Sequence, residues 1–164
     1  MEAGILIDTG GIPLALRAAA VAVDANLTPA VYRTGAAVRT KVRANASSAR
    51  HPNKLSRRMG HIPGTGPGPN VGTGDYRRSI AQDNSKASGV AVSTVYTNAP
   101  QGPRLEYGFV GADSLGRVYH QPPYPHWRPA IAEVPAILTA EAEAAVSAGL
   151  RAYLSPTTVL RRLT

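Results

Sequence analysis

The chain of 164 residues contains no cysteine. Disulfide bonds, thiolate metal sites and cysteine nucleophiles are therefore excluded. Only one Phe and one Trp are present although 43% of the residues are hydrophobic, so the core has to be built mostly from Ala, Val, Leu and Ile. A core of such side chains is modest, and packing against partner molecules would extend it.

Acidic residues are also scarce, because ten Asp and Glu face 18 Lys and Arg and leave a net charge of +8. This balance favours contact with polyanions, although it serves solubility equally well. The most apolar stretch, residues 11–25, is divided by Arg17 and is shorter than the roughly 20 residues of a membrane span. The chain opens with Met1 and Glu2 rather than with the basic start of a secretory signal. We therefore expect no membrane contact and synthesis in a reducing cytoplasm.

Motifs of common enzyme classes are missing. No Gly-Lys pair occurs, which excludes a Walker phosphate loop, and the glycines between Gly64 and Gly74 do not fit the dinucleotide fingerprint. No Gly-x-Ser-x-Gly element is present. The histidines lack the helical spacing of a metal site; they are His51, His61, His120 and His126. We expect no metal, no cofactor and no enzymatic activity. An alternative hypothesis is a hydrolase that uses His120 or His126 with Glu106.

The N-terminal third predicts two helices. The first spans Pro13 to Ala25, and the second begins at Thr28 as its N-cap with Pro29 in its first turn. Apolar or small residues recur on one face of the second helix. These residues are Val31, Gly35, Val38, Val42 and Ala46.

The centre and the C-terminal third predict two hairpins and another helix. Alternation in "GVAVSTVY" indicates a strand, with Ser79–Asp83 as its partner and "NSKASG" as the turn. The segment "APQGPRLEYG" predicts a helical turn closed by a left-handed Gly108. A second hairpin, "FVGADSLGRVYHQ", turns near Leu115 and Gly116. A helix from Pro129 to about Leu150 follows, stepped at Pro135, with Ile131, Leu138 and Val146 inward.

These elements predict an α+β fold in which an antiparallel sheet of about four strands packs against N-terminal and C-terminal helices. Residues 1–154 form a single domain in this interpretation, and residues 155–164 form a C-terminal tail. Ile80, Val90, Val92 and Trp127 are expected to share one interior. The domain includes an extended, basic loop rich in Gly and Pro at residues 47–74.

Basic residues are concentrated in the first half of this loop. Their density favours contact with a phosphate backbone, in a manner that depends on salt and not on sequence. A solvated loop, or one that pairs with an acidic neighbouring subunit, is the alternative. The residues concerned are Arg50, His51, Lys54, Arg57, Arg58 and His61.

Three short segments carry a resemblance to a known family. "TGDYRRSI" precedes the first hairpin, "RLEYG" follows it, and "PPYPHWRPAI" leads into the last helix. In this order they resemble the neck and tail-completion proteins of long-tailed double-stranded DNA bacteriophages, over about residues 20–150. The matching positions are Thr73, Gly74, Tyr76, Arg77, Ser79, Ile80, Leu105, Glu106, Tyr107, Gly108, Trp127, Arg128, Pro129 and Ala130.

The resemblance implies a structural virion protein, made in the cytoplasm of the host bacterium. It would form a homo-oligomeric ring, expected to be a hexamer, that joins and seals the head connector to the tail tube. Its partners would be the adjacent head-connector and tail-tube proteins, and packaged double-stranded DNA would pass through the ring. A small basic nucleic-acid-binding protein is the alternative function. A tail terminator or another tail component is a further one.

Overall fold

The computed structural model describes residues 12–47, 68–69 and 73–154, and within them the fold is α+β. The helices are α1 (Ile12–Asn45), α2 (Asp75–Ser79), α3 (Gln101–Tyr107), α4 (Trp127–Ala132) and α5 (Val134–Leu154). The strands are β1 (Ala81–Ala87), β2 (Val90–Tyr96), β3 (Phe109–Ala112) and β4 (Val118–Gln121). Most of the predicted loop at 47–74 and the whole predicted tail at 155–164 lie outside the described residues. No helix in the described ranges combines the length and the apolar character needed to cross a membrane.

The prediction of two N-terminal helices is wrong, because α1 runs without a break through Thr28 and Pro29. Pro29 has no N–H to donate to the preceding turn, and a proline inside a helix costs about 3 kcal/mol. Packing against α5 on both sides of Pro29 offsets that cost. The predicted inner face is confirmed for the four positions Gly35, Val38, Val42 and Ala46, all of which are buried.

Helices α1 and α5 lie antiparallel to each other. Arg33 Nε lies 2.7 Å from Glu141 Oε2 in α5, and Lys41 Nζ lies 2.6 Å from Oε2 of Glu133, the residue directly before α5. The later residue of α1 therefore contacts the earlier glutamate. Near the start of α1, a Cβ atom on Gly149 would lie 2.9 Å from the Cα of Val23. The absence of a side chain at Gly149 therefore lets the two backbones approach closely.

The strands form two separate hairpins instead of the single predicted sheet. β1 pairs antiparallel with β2, and β3 pairs antiparallel with β4. Pro122 and Pro123 follow β4 directly, and having no N–H they cannot extend its ladder. The described residues therefore contain two sheets of two strands each.

Turn chemistry sets the length of the first hairpin. Ser88 and Gly89 have φ values of 49° and 81°, as a two-residue turn with matching twist requires. The strand predicted at Ser79–Asp83 therefore begins later and runs further, from Ala81 to Ala87, and most of the predicted turn is strand. In the second hairpin the predicted position of the turn is confirmed, since Gly116 has a φ of 75° between β3 and β4.

Only two of the four side chains that were expected to share one interior lie in the core or against it. Ile80 is fully buried and Trp127 packs against the same cluster, which also includes Val38, Val42 and Ala130. Val90 and Val92, however, are 63% and 47% exposed. The alternation along β2 was predicted correctly but its inner face was not.

The inner face of β2 consists of Ala91, Ser93 and Val95, which are half-buried, whereas Val90, Val92 and Thr94 are exposed. A Cβ atom on Gly35 of α1 would overlap Ser93 Oγ and would lie 2.9 Å from Ser93 Cβ. The helix therefore crosses β2 so closely that a small residue is required on both sides. This contact puts Val90 and Val92 on the outer face.

The C-terminal helix is divided at Glu133, two residues before the expected step at Pro135. The side chains predicted to point inward, Ile131, Leu138 and Val146, are exposed. Small residues take their place, because α5 packs close to α1. Ala130 and Ala145 are buried, and Ile137 packs on the edge of the core.

Candidate functional site

The carboxylate of Glu106, at the end of α3, caps the N-terminus of α4. Its Oε2 accepts hydrogen bonds from the backbone N–H groups of His126 at 2.8 Å and Trp127 at 2.9 Å. Its Oε1 accepts from the backbone N–H of Arg128 at 3.1 Å and from Arg128 Nε at 3.0 Å. These groups are the orphan donors of a helix N-terminus, and an anion is favoured at that end. One side chain thus satisfies the start of a helix about twenty residues further along the chain.

Three aromatic side chains continue from Glu106 as a chain of hydrogen bonds. His126 Nδ1 lies 2.8 Å from the carbonyl of Tyr124 and 3.1 Å from Glu106 Oε2. Both neighbours are acceptors, so Nδ1 carries the proton and Nε2 accepts from the Tyr76 hydroxyl at 2.5 Å. Trp127 Nε1 in turn donates to Tyr76 Oη at 3.1 Å. We call Tyr76, Glu106, His126, Trp127 and Arg128 the Glu106 network.

The charge states in this network follow from burial and from the hydrogen bonds. Burial raises the pKa of Glu106, but the hydrogen bonds from the backbone of His126, Trp127 and Arg128 and from the Arg128 side chain outweigh it and leave the pKa below its usual value. Burial lowers the pKa of His126 below its usual value, against the opposing effects of the Tyr124 carbonyl and of Glu106. At neutral pH the network therefore contains an ionised carboxylate and a neutral imidazole.

The segment "TGDYRRSI" delivers Tyr76 to the network. Gly74 has a φ of 82° at the start of α2, a conformation that favours glycine. Thr73 and Arg78 both donate hydrogen bonds to the carboxylate of Asp75. These bonds lower the pKa of Asp75, and the bond from Thr73 has the larger effect. The glycine therefore lets the chain turn into the short helix α2, which precedes β1.

The other family-like positions divide into buried and exposed groups. Ile80 and Ala130 have no exposed surface, and the hydroxyl of Ser79 lies 2.7 Å from that of Thr97. Tyr107 and Pro129 are exposed, and Leu105 is half-buried. Gly108 ends α3 with a positive φ of 80°, as predicted, but its ψ of 179° lies outside the left-handed helical conformation that was expected. Arg77 is exposed and donates to Ser47 Oγ at 3.3 Å.

Two residues of α1 that the sequence analysis did not single out hold the network in place. Arg43 donates through Nη2 at 2.7 Å and through Nε at 3.1 Å to the carbonyl of Ile80. Asn45 donates through Nδ2 to the carbonyl of His126 at 3.1 Å. Arg43 and Asn45 lie 37 and 81 residues from their partners, so no local pattern in the sequence could have revealed these contacts.

The geometry of the network is suited to holding segments together. His126 has no exposed surface, and both oxygens of Glu106 are occupied by donors. His120, the other histidine of the hydrolase hypothesis, lies exposed on β4, where it pairs with Val110. In the part of the chain that the structure describes, no three His, Asp or Glu side chains cluster as metal ligands.

The predicted basic contact residues Arg50, Lys54, Arg57 and Arg58 lie outside the described residues, as do His51 and His61. Comparisons with models of protein families, with curated proteins and with solved structures find no match for this chain.

Proposed function

We propose that this chain is a structural protein of the head-to-tail junction of a long-tailed DNA bacteriophage. It is one subunit of a ring that joins the head connector to the tail tube. The observation that carries the proposal is the convergence of the three family-like segments. Tyr76 from the first, Glu106 from the second and Trp127 from the third meet in one hydrogen-bonded network, although up to 51 positions separate them.

The chemistry of the network supports an architectural role. A general acid or base needs a path to a substrate, and the imidazole of His126 is completely enclosed. The three segments are instead fixed relative to each other and to α1. Such an arrangement suits a subunit whose exposed surfaces have to be held in a defined geometry.

Exposed apolar side chains support assembly into a larger body. Val90 and Val92 face outward on the first hairpin, and Val110 and Val118 do so on the second. Exposed apolar side chains that share one face of a hairpin are a feature of surfaces that pack against other subunits. Several separate patches on one chain agree with contacts to more than one neighbour.

The basic character of the chain agrees with DNA passing through the ring. In the described part, however, Arg33, Lys41 and Arg78 are already paired with Glu141, Glu133 and Asp75. Four further basic residues lie close together in the sequence, at Arg50, Lys54, Arg57 and Arg58. Its contact with DNA, and its salt dependence, stay a prediction.

Deletion of the gene from the phage that encodes this chain tests the proposal. We expect electron micrographs to show DNA-filled heads separated from free tails, and a plasmid copy of the gene to restore joined particles. Normal, infectious particles after deletion would contradict the proposal. A monomer that binds duplex DNA with a steep salt dependence, and that is absent from the particle, would favour the nucleic-acid-binding alternative.

A further inference from the structure

The second hairpin exposes an apolar face that no described element covers. Ala112 pairs with Val118, and Val110 lies two residues before Ala112, so the three side chains share one side of the hairpin. We call them the hairpin face. Val110 and Val118 are 74% and 69% exposed. A hairpin of two strands is only marginally stable by itself in water, so a covering partner would stabilise it.

The contacts that attach this hairpin to the rest of the chain lie on the side opposite the hairpin face and at the base of the two strands. The guanidinium of Arg104 stacks on the ring of Phe109, 3.9 Å from its centroid, and Phe109 points away from the hairpin face. Gln121 Nε2 donates to the carbonyl of Arg104 at 3.2 Å. The hairpin face is therefore free to meet another molecule.

Helix α5 carries a second exposed apolar surface. Leu138, Ala142, Val146 and Leu150 recur at every fourth position and therefore follow one side of the helix. We call these four residues the α5 stripe. Leu138, Ala142 and Val146 border a shallow depression, which Thr139, Glu143 and Ser147 also line. From Leu138 to Leu150 the stripe is about 18 Å long, and a strand of four residues is about 13 Å long, so the hairpin fits along it.

Polar side chains also favour a match between the two surfaces. Between Val134 and Leu150, α5 contains two glutamates and no Lys or Arg, in a chain of net charge +8. Glu141 is paired with Arg33, whereas Glu143 beside the stripe has no ion pair among the described residues. On the hairpin, His120 lies on the same side as Val110 and has no ion pair in the described ranges either, so its imidazole can donate a hydrogen bond to a carboxylate such as that of Glu143.

The two surfaces do not meet within one copy of the chain. The hairpin is attached beside the network, at the end of α1 where Asn45 contacts His126. Helix α5 runs away from that end, because Gly149 lies against Val23 near the start of α1. In the described residues no hydrogen bond or ion pair connects β3 or β4 to α5. A contact between these different surfaces therefore has to be made between copies.

We propose that the hairpin face of one copy packs on the α5 stripe of the next copy. This contact deepens the proposed function and rests on it. A contact between unlike surfaces repeats from copy to copy and closes into a ring when the rotation allows. It covers both apolar surfaces at once, and it places His120 near Glu143.

Disulfide trapping tests the contact, and the absence of native cysteine removes any background. Val110→Cys is combined in one chain with Leu138→Cys, Ala142→Cys or Val146→Cys, and each protein is oxidised and run on a non-reducing gel. We expect at least one pair to give a ladder of multimers. The matched control combines Val110→Cys with Ala37→Cys on the exposed side of α1, and it is expected to give no ladder. Single-cysteine chains control for pairing of identical positions.

Light scattering on the same oxidised and reduced proteins distinguishes a failure of the hairpin contact from a failure of the proposed ring. Multimers in solution without a ladder from any of the three pairs would overturn the hairpin contact and leave the proposed ring intact. Monomers at all concentrations would overturn both. The fluorescence of the single Trp127 checks that every variant is folded.

Discussion

Glu106 Oε2 accepts the backbone N–H of Trp127 at 2.9 Å, so the end of α3 fixes the start of α4. Replacing Glu106 with Gln removes the negative charge and one of the two acceptor oxygens. Buried N–H groups of His126 or Trp127 then lose their partner, and the loss of a charged hydrogen-bond acceptor costs about 3 kcal/mol. We expect a loss of this size in the free energy of unfolding, measured by urea titration with Trp127 fluorescence.

Glu143→Gln is the matched control for that experiment, since Glu143 is an exposed glutamate without an ion pair among the described residues. It should change the free energy of unfolding by less than about 0.5 kcal/mol. Equal effects of the two variants would show that the capping arrangement contributes nothing to stability.

Stability should fall as the pH drops below about 6.5, because of His126. Its pKa in the folded chain lies below the usual 6.5, so the unfolded chain binds the proton first. The stabilisation from neutral His126 is therefore complete above pH 6.5 and decreases as the pH falls toward the lowered pKa. Urea titrations between pH 5 and pH 7.5 measure this slope.

The variant His126→Asn should lose this part of the pH dependence, whereas His120→Asn should keep it. Glu106 contributes in a separate and more acidic window. Its pKa is also lowered in the folded chain, so its stabilisation is present above its usual 4.5 and is lost as the pH falls below that value. A flat profile between pH 5 and pH 7.5 would mean that His126 is not held in its neutral form.

Gly35→Ala tests the close crossing of α1 over β2. Alanine is the better helix former by about 1 kcal/mol, yet its Cβ would lie 2.9 Å from Ser93 Cβ. We expect the clash to dominate and to destabilise the chain by about 1–3 kcal/mol, as overpacking does. Thermal unfolding measures the difference.

The double variant Gly35→Ala with Ser93→Gly removes the nearer of the two side chains that the added methyl group would meet, the other being that of Gln82. It should recover part of the lost stability, with allowance for the cost of glycine in a strand. If Gly35→Ala alone were more stable than the parent chain, β2 would not lie where the structure has it.

Local rules predicted much of the fold from the sequence. The second turn lies at Gly116, and α3 ends at Gly108. Both residues have a positive φ, which glycine adopts more readily than other residues, so the sequence alone marks these positions. The inner face of α1 followed from the spacing of Val38, Val42 and Ala46. The predictions that failed concern features that depend on contacts between residues far apart in the sequence. Helix α1 continues through Pro29 because α5 packs beside it, and Val90 faces outward because Gly35 lies against Ser93.

The candidate site shows the same division. Tyr76, Glu106 and Trp127 were named from short segments, but their meeting in one network depends on the tertiary fold. The hydrogen bonds of Arg43 and Asn45 to backbone carbonyls have no signal in the sequence, since an arginine or asparagine near the end of a helix is usually solvated. The expected single sheet failed for a related reason, because strand propensity does not say which strands pair.

Native mass measurement with negative-stain microscopy of the purified chain tests the central claim most directly. A chain of 17.1 kDa that forms the proposed ring should give a single large mass, expected near six times that value, and class averages with a central opening wide enough for duplex DNA. A mass of 17.1 kDa at every concentration, with no ring in the images, would contradict the account.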